Sequence, residues 1–515
     1  MNDLSQGASA AHEPSTSRTS GSSSAPAPRH HERGRTQGLP LIFVLLEQSR
    51  WTLLAIPTAF AALVTALVRG GPATFAATWL AVPLVGVVLP LMRLVVRSRR
   101  HDAGPTDWEP YIAFHDPKAH ARWQKKKIPM EVLYEAYMAE RLDFKEDVYE
   151  VMRRRNRLFR FCFTWGDIKF YFKEFLVQNV RHDRAHDRAD IAPVYDRGND
   201  FYQWFLGDGM VYTSGVFRDP EDSLEAAQER KLDVICKSVQ MKPGDRHLDI
   251  GCGWGPLITH AAQHYGAVST GITLATEQAH WAVDRARRAG VADRVKVIVD
   301  DYRNLAAERY DKITCVEMAE HVGIKNFQRF LLQVKSMLED DGVFYLQIAG
   351  LRRAWQYEDL VWGLFMAKYV FPAADASCPL GFVVSQAERA GFEVHRVENC
   401  GPHYAVTIGK WYDNWQSNHD AIVARYGERW FRKWTLFLAW SRLIGAQGSS
   451  ALFMITLTKN IKNDKASVSA EEAESVAYSR GARWIGSDPI GTQQSSQAPR
   501  SAHQRRKAKR TRLSS

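Results

Sequence analysis

Cysteine is scarce in this chain of 515 residues. Its six cysteines are Cys162, Cys236, Cys252, Cys315, Cys378 and Cys400. None stands in a CxxC pair or at metal-ligand spacing. That excludes a disulfide framework and points to a reduced, cytosolic setting for the central region. Excess charge is also missing from the middle of the chain. The net charge of +11 is matched by two clusters. One is Arg93, Arg97, Arg99 and Arg100; the other is Arg500, Arg505, Arg506, Lys507, Lys509, Arg510 and Arg512. No basic groove and no recognition module is left, so nucleic acid is not among the expected partners. No internal repeat is present. Residues 1–38 are poor in aromatics and rich in Ser, Ala, Pro, Gly and His, a composition that predicts disorder. The polar, basic stretch 461–515 predicts the same.

Long hydrophobic runs occur twice, and close together. Residues 51–68 and 73–92 are apolar and uncharged, and at 1.5 Å per residue each can roughly span a ~30 Å hydrocarbon core. Arg69-Gly70-Gly71-Pro72 leaves room only for a tight turn. The pair predicts a transmembrane helical hairpin within residues 39–100. A re-entrant hairpin and a soluble buried one are the alternatives. The first run starts too far from Met1 for a cleaved signal peptide. The arginines after Met92 place that end, both termini and the rest of the chain in the cytosol. Residues 101–190 are charged and aromatic, with patches of helical period, and predict a helical lead-in that packs on the domain after it. The stretch 158–175 could instead lie on a bilayer.

The centre of the chain is dominated by Leu248-Asp249-Ile250-Gly251-Cys252-Gly253-Trp254-Gly255. It reads as a buried strand that ends in a glycine-rich turn and opens a helix. Without Lys-Ser or Lys-Thr after the glycines it is not a phosphate-gripping P-loop. It resembles the first motif of class I S-adenosylmethionine (SAM) methyltransferases. From residue 242 strands and helices alternate, with strands at 268–273, 295–299, 312–316 and 342–348, and further ones at 392–397 and 451–457. Such alternation predicts an α/β, Rossmann-like parallel sheet, covered on both faces, with its ligand at the carboxyl ends of the strands. The catalytic domain is placed at 191–460.

Several constellations fall at those strand ends. Asp249 can pair with the ammonium of SAM, and the turn around Gly251 and Gly253 offers amides for its carboxylate. A dinucleotide fold is the alternative, but Gly271-Ile272-Thr273 lacks the usual ribose-binding acid. Thr273 and Gln278 offer a hydroxyl and an amide, with Glu277 ranking behind them. After the third strand, Tyr302 can stack on adenine and Asp301 accept from its exocyclic amine. Asp300 is second choice, and a plain strand-end turn is the bland alternative. Glu317, Glu320 and His321 follow the fourth strand, where a transferred methyl would sit and a base must be within reach. Glu317 reads equally as a helix-first-turn acid and His321 as a packing residue. With no fourth ligand, no metal site is expected. Residues 195–217 read as a cap over the pocket, or as core.

Taken together, residues 195–217, the glycine motif, Asp301-Tyr302-Arg303, Glu320-His321-Val322-Gly323 and Glu339-Asp340-Asp341-Gly342 resemble the cyclopropane fatty-acid and mycolic-acid synthase family. Those enzymes use SAM to methylate alkenes in lipid chains. One branch is more similar still, the fungal sphingolipid C9-methyltransferases. The runs from Ala349 to Leu360 and from Phe371 to Ser377 carry that likeness. The branch implies methylation of carbon 9 of a sphingoid base at its 8,9 double bond, an 8-unsaturated ceramide as substrate, a bilayer as its source and the endoplasmic reticulum as location. Tyr212, Thr213, Gly251, Gly253, Thr273, Gln278 and Tyr302 match cofactor contacts of the family. Glu320 matches the glutamate of an anion site that holds bicarbonate as base. The family's cysteine, histidine and tyrosine there are Ser214, Gln347 and Phe437, which counts against a bicarbonate site built the same way. Glu320 is therefore the first choice to take the proton, with His321, His403 and Tyr404 in reserve. A cyclopropane synthase acting on phospholipid chains and a non-catalytic membrane scaffold are the rival readings. The sequence leaves the oligomeric state open.

Overall fold

In a computed structural model, the described residues are 71–83, 89–101, 104–175, 198–219, 221–305, 308–371 and 378–460, with a few positions between 58 and 65. The predicted disordered tails, most of the first apolar run and the first residues of the cap lie outside them.

The architecture turns on one seven-stranded sheet. Its strands are β1 (Arg246–Ile250), β2 (Val268–Thr273), β3 (Val295–Val299), β4 (Tyr310–Val316), β5 (Leu338–Leu351), β6 (Phe392–Asn399) and β7 (Ser450–Lys459). Their spatial order is β6-β7-β5-β4-β1-β2-β3. The five strands from β3 to β5 run parallel. β7 lies antiparallel between β5 and β6. The expectation of a parallel sheet is thus corrected to a mixed one. Residues 400–449, three helices, link β6 to β7, a connection long enough for either direction, so strand–helix alternation does not dictate a parallel pairing there.

The helices of this region are α1 (Asn199–Leu206), α2 (Leu224–Ser238), α3 (Pro256–Tyr265), α4 (Thr276–Arg288), α5 (Ile324–Met337), α6 (Tyr357–Phe365), α7 (Leu380–Arg389), α8 (Gly401–Ser417), α9 (His419–Tyr426) and α10 (Glu428–Ala446). Each lays an apolar stripe on the sheet or on its neighbours. In α5 the stripe is Phe327, Phe330, Leu331, Val334 and Met337, all buried, the spacing of one helical face. β5 is buried along Val343–Ile348, as a central strand covered on both faces must be.

Residues 104–175 pack onto this domain through a shared aromatic core. Trp108, Tyr134 and Phe159 are fully buried in one cluster with Phe201, Trp415 and Trp440. The segment is less purely helical than its periodicity predicts. Ile112–Phe114 pairs antiparallel with Leu142–Phe144, and Ile128–Pro129 pairs parallel with Phe159–Arg160. Polar clasps reinforce the contact. Arg155 donates through Nε to Glu358 Oε1 on α6, and Tyr412 of α8 donates to Asp147 Oδ2 at 2.6 Å. The stretch 158–175 contributes Phe159, Phe161 and Phe170 to the core, while Trp165 is 74% exposed.

Of the predicted spans, the second falls on two helices, Pro72–Pro83 and Leu89–Arg100, with 84–88 outside the described residues. Among the described residues no helix is long and apolar enough to cross a membrane.

Candidate active site

The glycine turn after β1 is built on three left-handed residues: Gly251 at φ +86°, Gly253 at +52° and Gly255 at +76°. Close packing adds to the requirement at Gly255, where a Cβ would meet Ala282 of α4 at 2.6 Å. At Gly253 a Cβ would meet nothing within 4 Å; that glycine is needed for its φ and leaves open space beside the backbone. The amides of Gly251 and Cys252 both donate to Ile272 O. The turn therefore does not offer all its amides to a ligand; those of Gly253 and Trp254 have no such partner among the described residues.

A cavity opens at the carboxyl ends of β1 to β4. Every residue expected to contact the cofactor lines it: Tyr212, Thr213, Asp249, Gly251, Gly253, Thr273, Gln278, Asp301 and Tyr302. Strand order arranges them. Tyr302, Asp301, Thr273 and Gln278 follow β3 and β2 at one end, the glycine turn follows β1 in the middle, and Glu317, Met318 and His321 follow β4 at the other. Residues 210–213 join from the segment after α1. The aromatics of that segment divide between the two expected fates: Phe201, Tyr202 and Phe205 are core, whereas Tyr212 lines the cavity. Trp254 Nε1 donates to Asn199 Oδ1 at 2.7 Å, fastening the glycine turn to α1.

Asp249 is buried and its carboxyl accepts from Thr314 Oγ1 at 2.7 Å. Burial pushes its pKa up to about 6, with the Lys231 cation and the Thr314 bond opposing. Thr314 spends its single proton on Asp249, so it accepts from His247 Nε2 at 2.9 Å, and His247 Nδ1 accepts from Ser269. Burial holds His247 neutral, at about 3. This chain orients Asp249 from behind. Thr273 donates to Gln278 Oε1 at 2.8 Å. Asp301 accepts from the Arg303 backbone amide at 2.9 Å and from its guanidinium Nε at 2.8 Å. It thus combines a strand-end turn with a place on the cavity wall.

The acids after β4 are arranged differently from expectation. Glu317 is no helix-first-turn acid. It sits at φ +52° in the bend after the strand, before the short helical turn Ala319–His321, and it lines the cavity. Its Oε1 accepts from the Ser214 amide at 3.1 Å and from Gln347 Nε2 at 2.7 Å. Burial raises its pKa to about 7 against those two bonds and the Lys231 cation. Glu320 lies behind the wall. Its Oε1 accepts from the Ala349 amide at 2.6 Å, its Oε2 is buried without a hydrogen-bond partner, and burial raises its pKa to about 8. His321 lines the cavity. His403 and Tyr404 do not reach it. His403 Nδ1 accepts from the Phe217 amide at 3.2 Å, and Tyr404 packs edge-on to Trp411.

Ser214 and Gln347, which stand where the family holds an anion, both serve Glu317. Phe437 brings no hydroxyl and packs against Trp434 and Phe371. One side chain escaped sequence reasoning, and a second was placed without its conformation. Lys231 of α2 is fully buried, lines the cavity and donates to Thr213 Oγ1 at 2.6 Å. The signal was a lysine on the apolar stripe Leu224, Ala227, Lys231, Ile235. Glu317 gave no sequence signal of its unusual backbone.

The site fits SAM: a buried carboxylate, open backbone at Gly253 and an aromatic ring at the far strand end are the donor set its three parts need. Known proteins agree. The Mycolic acid cyclopropane synthetase family model matches residues 182–455. Sphingolipid C9-methyltransferase A of Emericella nidulans is 49% identical over 361 residues, covering 69% of this chain and 70% of that protein. The sphingolipid C9-methyltransferase of Komagataella phaffii is 42% identical over 458 residues, covering 85% and 93%. Among solved structures, the cyclopropane synthase MmaA2 from Mycobacterium tuberculosis aligns over 53% of this chain and 98% of its own, with a TM-score of 0.51 and 25% identity. The glycine turn, the strand order and these likenesses lead to one conclusion: the chain belongs to the mycolic acid cyclopropane synthetase family of SAM-dependent methyltransferases.

Proposed function

We propose that this protein transfers the methyl group of SAM to carbon 9 of the sphingoid base in an 8-unsaturated ceramide and leaves a branched alkene. One observation carries the chemistry: the nine residues expected to contact the cofactor, the buried carboxylate of Asp249 among them, line a single cavity. The names of the fungal relatives supply the substrate class. SAM provides an electrophilic methyl. The chain must hold the alkene in line with it and keep water away, because an isolated alkene is a weak nucleophile. Tyr212 at the cavity stands in a line of rings, 6.3 Å from Phe371, itself 6.0 Å from Phe437. That apolar line suits a lipid chain. The segments 360–371 and 436–444 thus serve both packing and substrate.

The substrate has to be collected from a bilayer, and we assign that task to the N-terminal region, with residues 51–68 and 73–92 as a hairpin in the endoplasmic reticulum membrane and the catalytic domain in the cytosol. Trp79 Nε1 donates to Thr58 Oγ1 at 3.2 Å, which supports pairing of the two runs. Met92 and Val96 are exposed on a helix that ends in arginines, and Arg99 lies over the exposed Trp165 ring, a composition suited to a headgroup boundary.

The test is incubation of membranes holding the protein with methyl-labelled SAM and an 8,9-unsaturated ceramide. Label on carbon 9 with the double bond kept is expected. Cyclopropane in phospholipid chains, with no labelled ceramide, would move the protein to the other activity of its family.

A further inference from the structure

We propose that Glu317, not Glu320, is the base of this reaction: a carboxylate carried by the chain itself at the cavity wall receives the proton lost from carbon 9. The inference rests on the ceramide reading above.

Three observations lead to it. Glu317 lines the cavity and Glu320 does not. Glu317 occupies a left-handed backbone position, φ +52°, where a side chain costs roughly 1–2 kcal/mol relative to glycine. Strain of this kind concentrates at working sites. Finally, two separate parts of the fold hold its carboxyl in place, the Ser214 amide and Gln347 Nε2 on β5, and the buried Lys231 charge on α2 attracts it. Gln347 is itself held by Tyr345, whose hydroxyl donates to Gln347 Oε1 at 3.3 Å. A packing residue at a bend would need none of this, and a glycine there would cost less.

The electron count closes. Methyl transfer joins carbon 9 to the methyl group, breaks its bond to sulfur and leaves a cation at carbon 8. The C9–H bond pair then moves into the C8–C9 bond, restoring the alkene and discharging the cation. The proton passes to the Glu317 carboxylate. Product release returns it to water, since a group that titrates near neutrality gives it up at neutral pH. Glu320 is a positioning residue: its carboxyl takes up the Ala349 amide, and its charge and that of Glu317 oppose each other. Burial sets the titration of Glu317, opposed by the Ser214 amide, the Lys231 charge of α2 and Gln347; burial, joined by the charge of Glu317, in turn pushes up Glu320, Tyr345 of β5 and Cys400 before α8.

The test compares wild type, Glu317→Gln and Glu320→Gln as full chains in membranes. Three quantities are read: ceramide methylation, binding of S-adenosylhomocysteine by calorimetry, and the infrared band of protonated carboxyl groups against pH. Glutamine at 317 still accepts from Ser214, so affinity is expected within about threefold of wild type. Its kcat is expected to fall at least 100-fold, the usual range for a lost general base, and a carboxyl band titrating near neutrality disappears. Glu320→Gln should lose less than tenfold. If Glu317→Gln binds normally but keeps more than a tenth of kcat, the assignment is overturned while the function stands. Wild type that methylates no ceramide overturns both. Should Glu317→Gln fail to fold, the wild-type profile decides. A base at Glu317 requires kcat to fall as pH drops from 8 to 6, and a flat profile refutes it.

Discussion

Removing Arg155 should loosen the lead-in from the catalytic domain, and the size of the effect is set by the groups the arginine leaves behind. Arg155 and Glu358 have side chains 8% and 5% exposed. Besides Arg155, Glu358 has two neutral donors, Trp440 Nε1 at 3.1 Å and Gln447 Nε2 at 3.2 Å. Gln447 in turn accepts from Arg155 Nη2 at 2.7 Å. Breaking a buried pair by deleting one partner costs about 3–5 kcal/mol, because the remaining charge is stranded. The two neutral donors keep part of the Glu358 solvation, so Arg155→Met is expected near the lower end, about 3 kcal/mol. Glu358→Gln in the same chain preserves an acceptor for Trp440 and removes the stranded charge. The double variant should therefore be more stable than Arg155→Met alone, with a coupling of roughly 2 kcal/mol. Urea unfolding of the detergent-solubilised protein, followed by tryptophan fluorescence, reads this directly, since Trp440 belongs to the network. An Arg155→Met variant that loses less than about 1 kcal/mol, or a double variant no more stable than that single one, would refute the reasoning.

Other outcomes are expected at the cavity. Gly255→Ala, with its Cβ 2.6 Å from Ala282 Cβ and φ at +76°, should cost about 2–3 kcal/mol of stability and weaken S-adenosylhomocysteine binding in calorimetry; unchanged binding would dismiss the close approach. Asp249→Asn should lower cofactor affinity at least tenfold, measured the same way, because a paired and largely desolvated charge is lost. Glu317 and Glu320 have folded pKa values, about 7 and about 8, above the ordinary 4.5. The native state therefore keeps protons that the unfolded chain releases. Stability contributed by this linkage is present below about pH 4.5 and lost as pH rises through 7 and 8. Urea midpoints of the ligand-free protein should fall across that window, and the slope should flatten in Glu317→Gln. Trp254→Phe removes the bond to Asn199 and should raise amide hydrogen exchange in α1 with little change at β5.

Much of the sheet was legible because its strands are short apolar runs bounded by turn residues. The run Val295–Val299 and the strand Val268–Thr273 coincide with their sequence limits. The direction of β7 was not legible, since hydrophobic pattern alone carries no strand orientation. Most of the residues that line the cavity were legible because they sit at strand ends, where sequence order and spatial order agree. Glu317 was legible in place and not in conformation: its positive φ and its donors from residues 214 and 347 are set by the fold. Lys231 was visible only as a charge on an apolar stripe. The antiparallel pairing of Ile112–Phe114 with Leu142–Phe144 was masked by flanking helical periods.

The shared aromatic core has a consequence for how the chain is made. Tyr134 near its start and Trp440 near its end pack around Phe365, 5.1 Å and 5.5 Å from its ring. Tyr134 leaves the ribosome about 300 residues before Trp440, roughly 15–60 s at ordinary elongation rates. During that time the lead-in has no completed surface to cover its aromatics. Its folding therefore waits for α10, and a nascent chain stopped before α10 should recruit holding chaperones that the finished protein does not need.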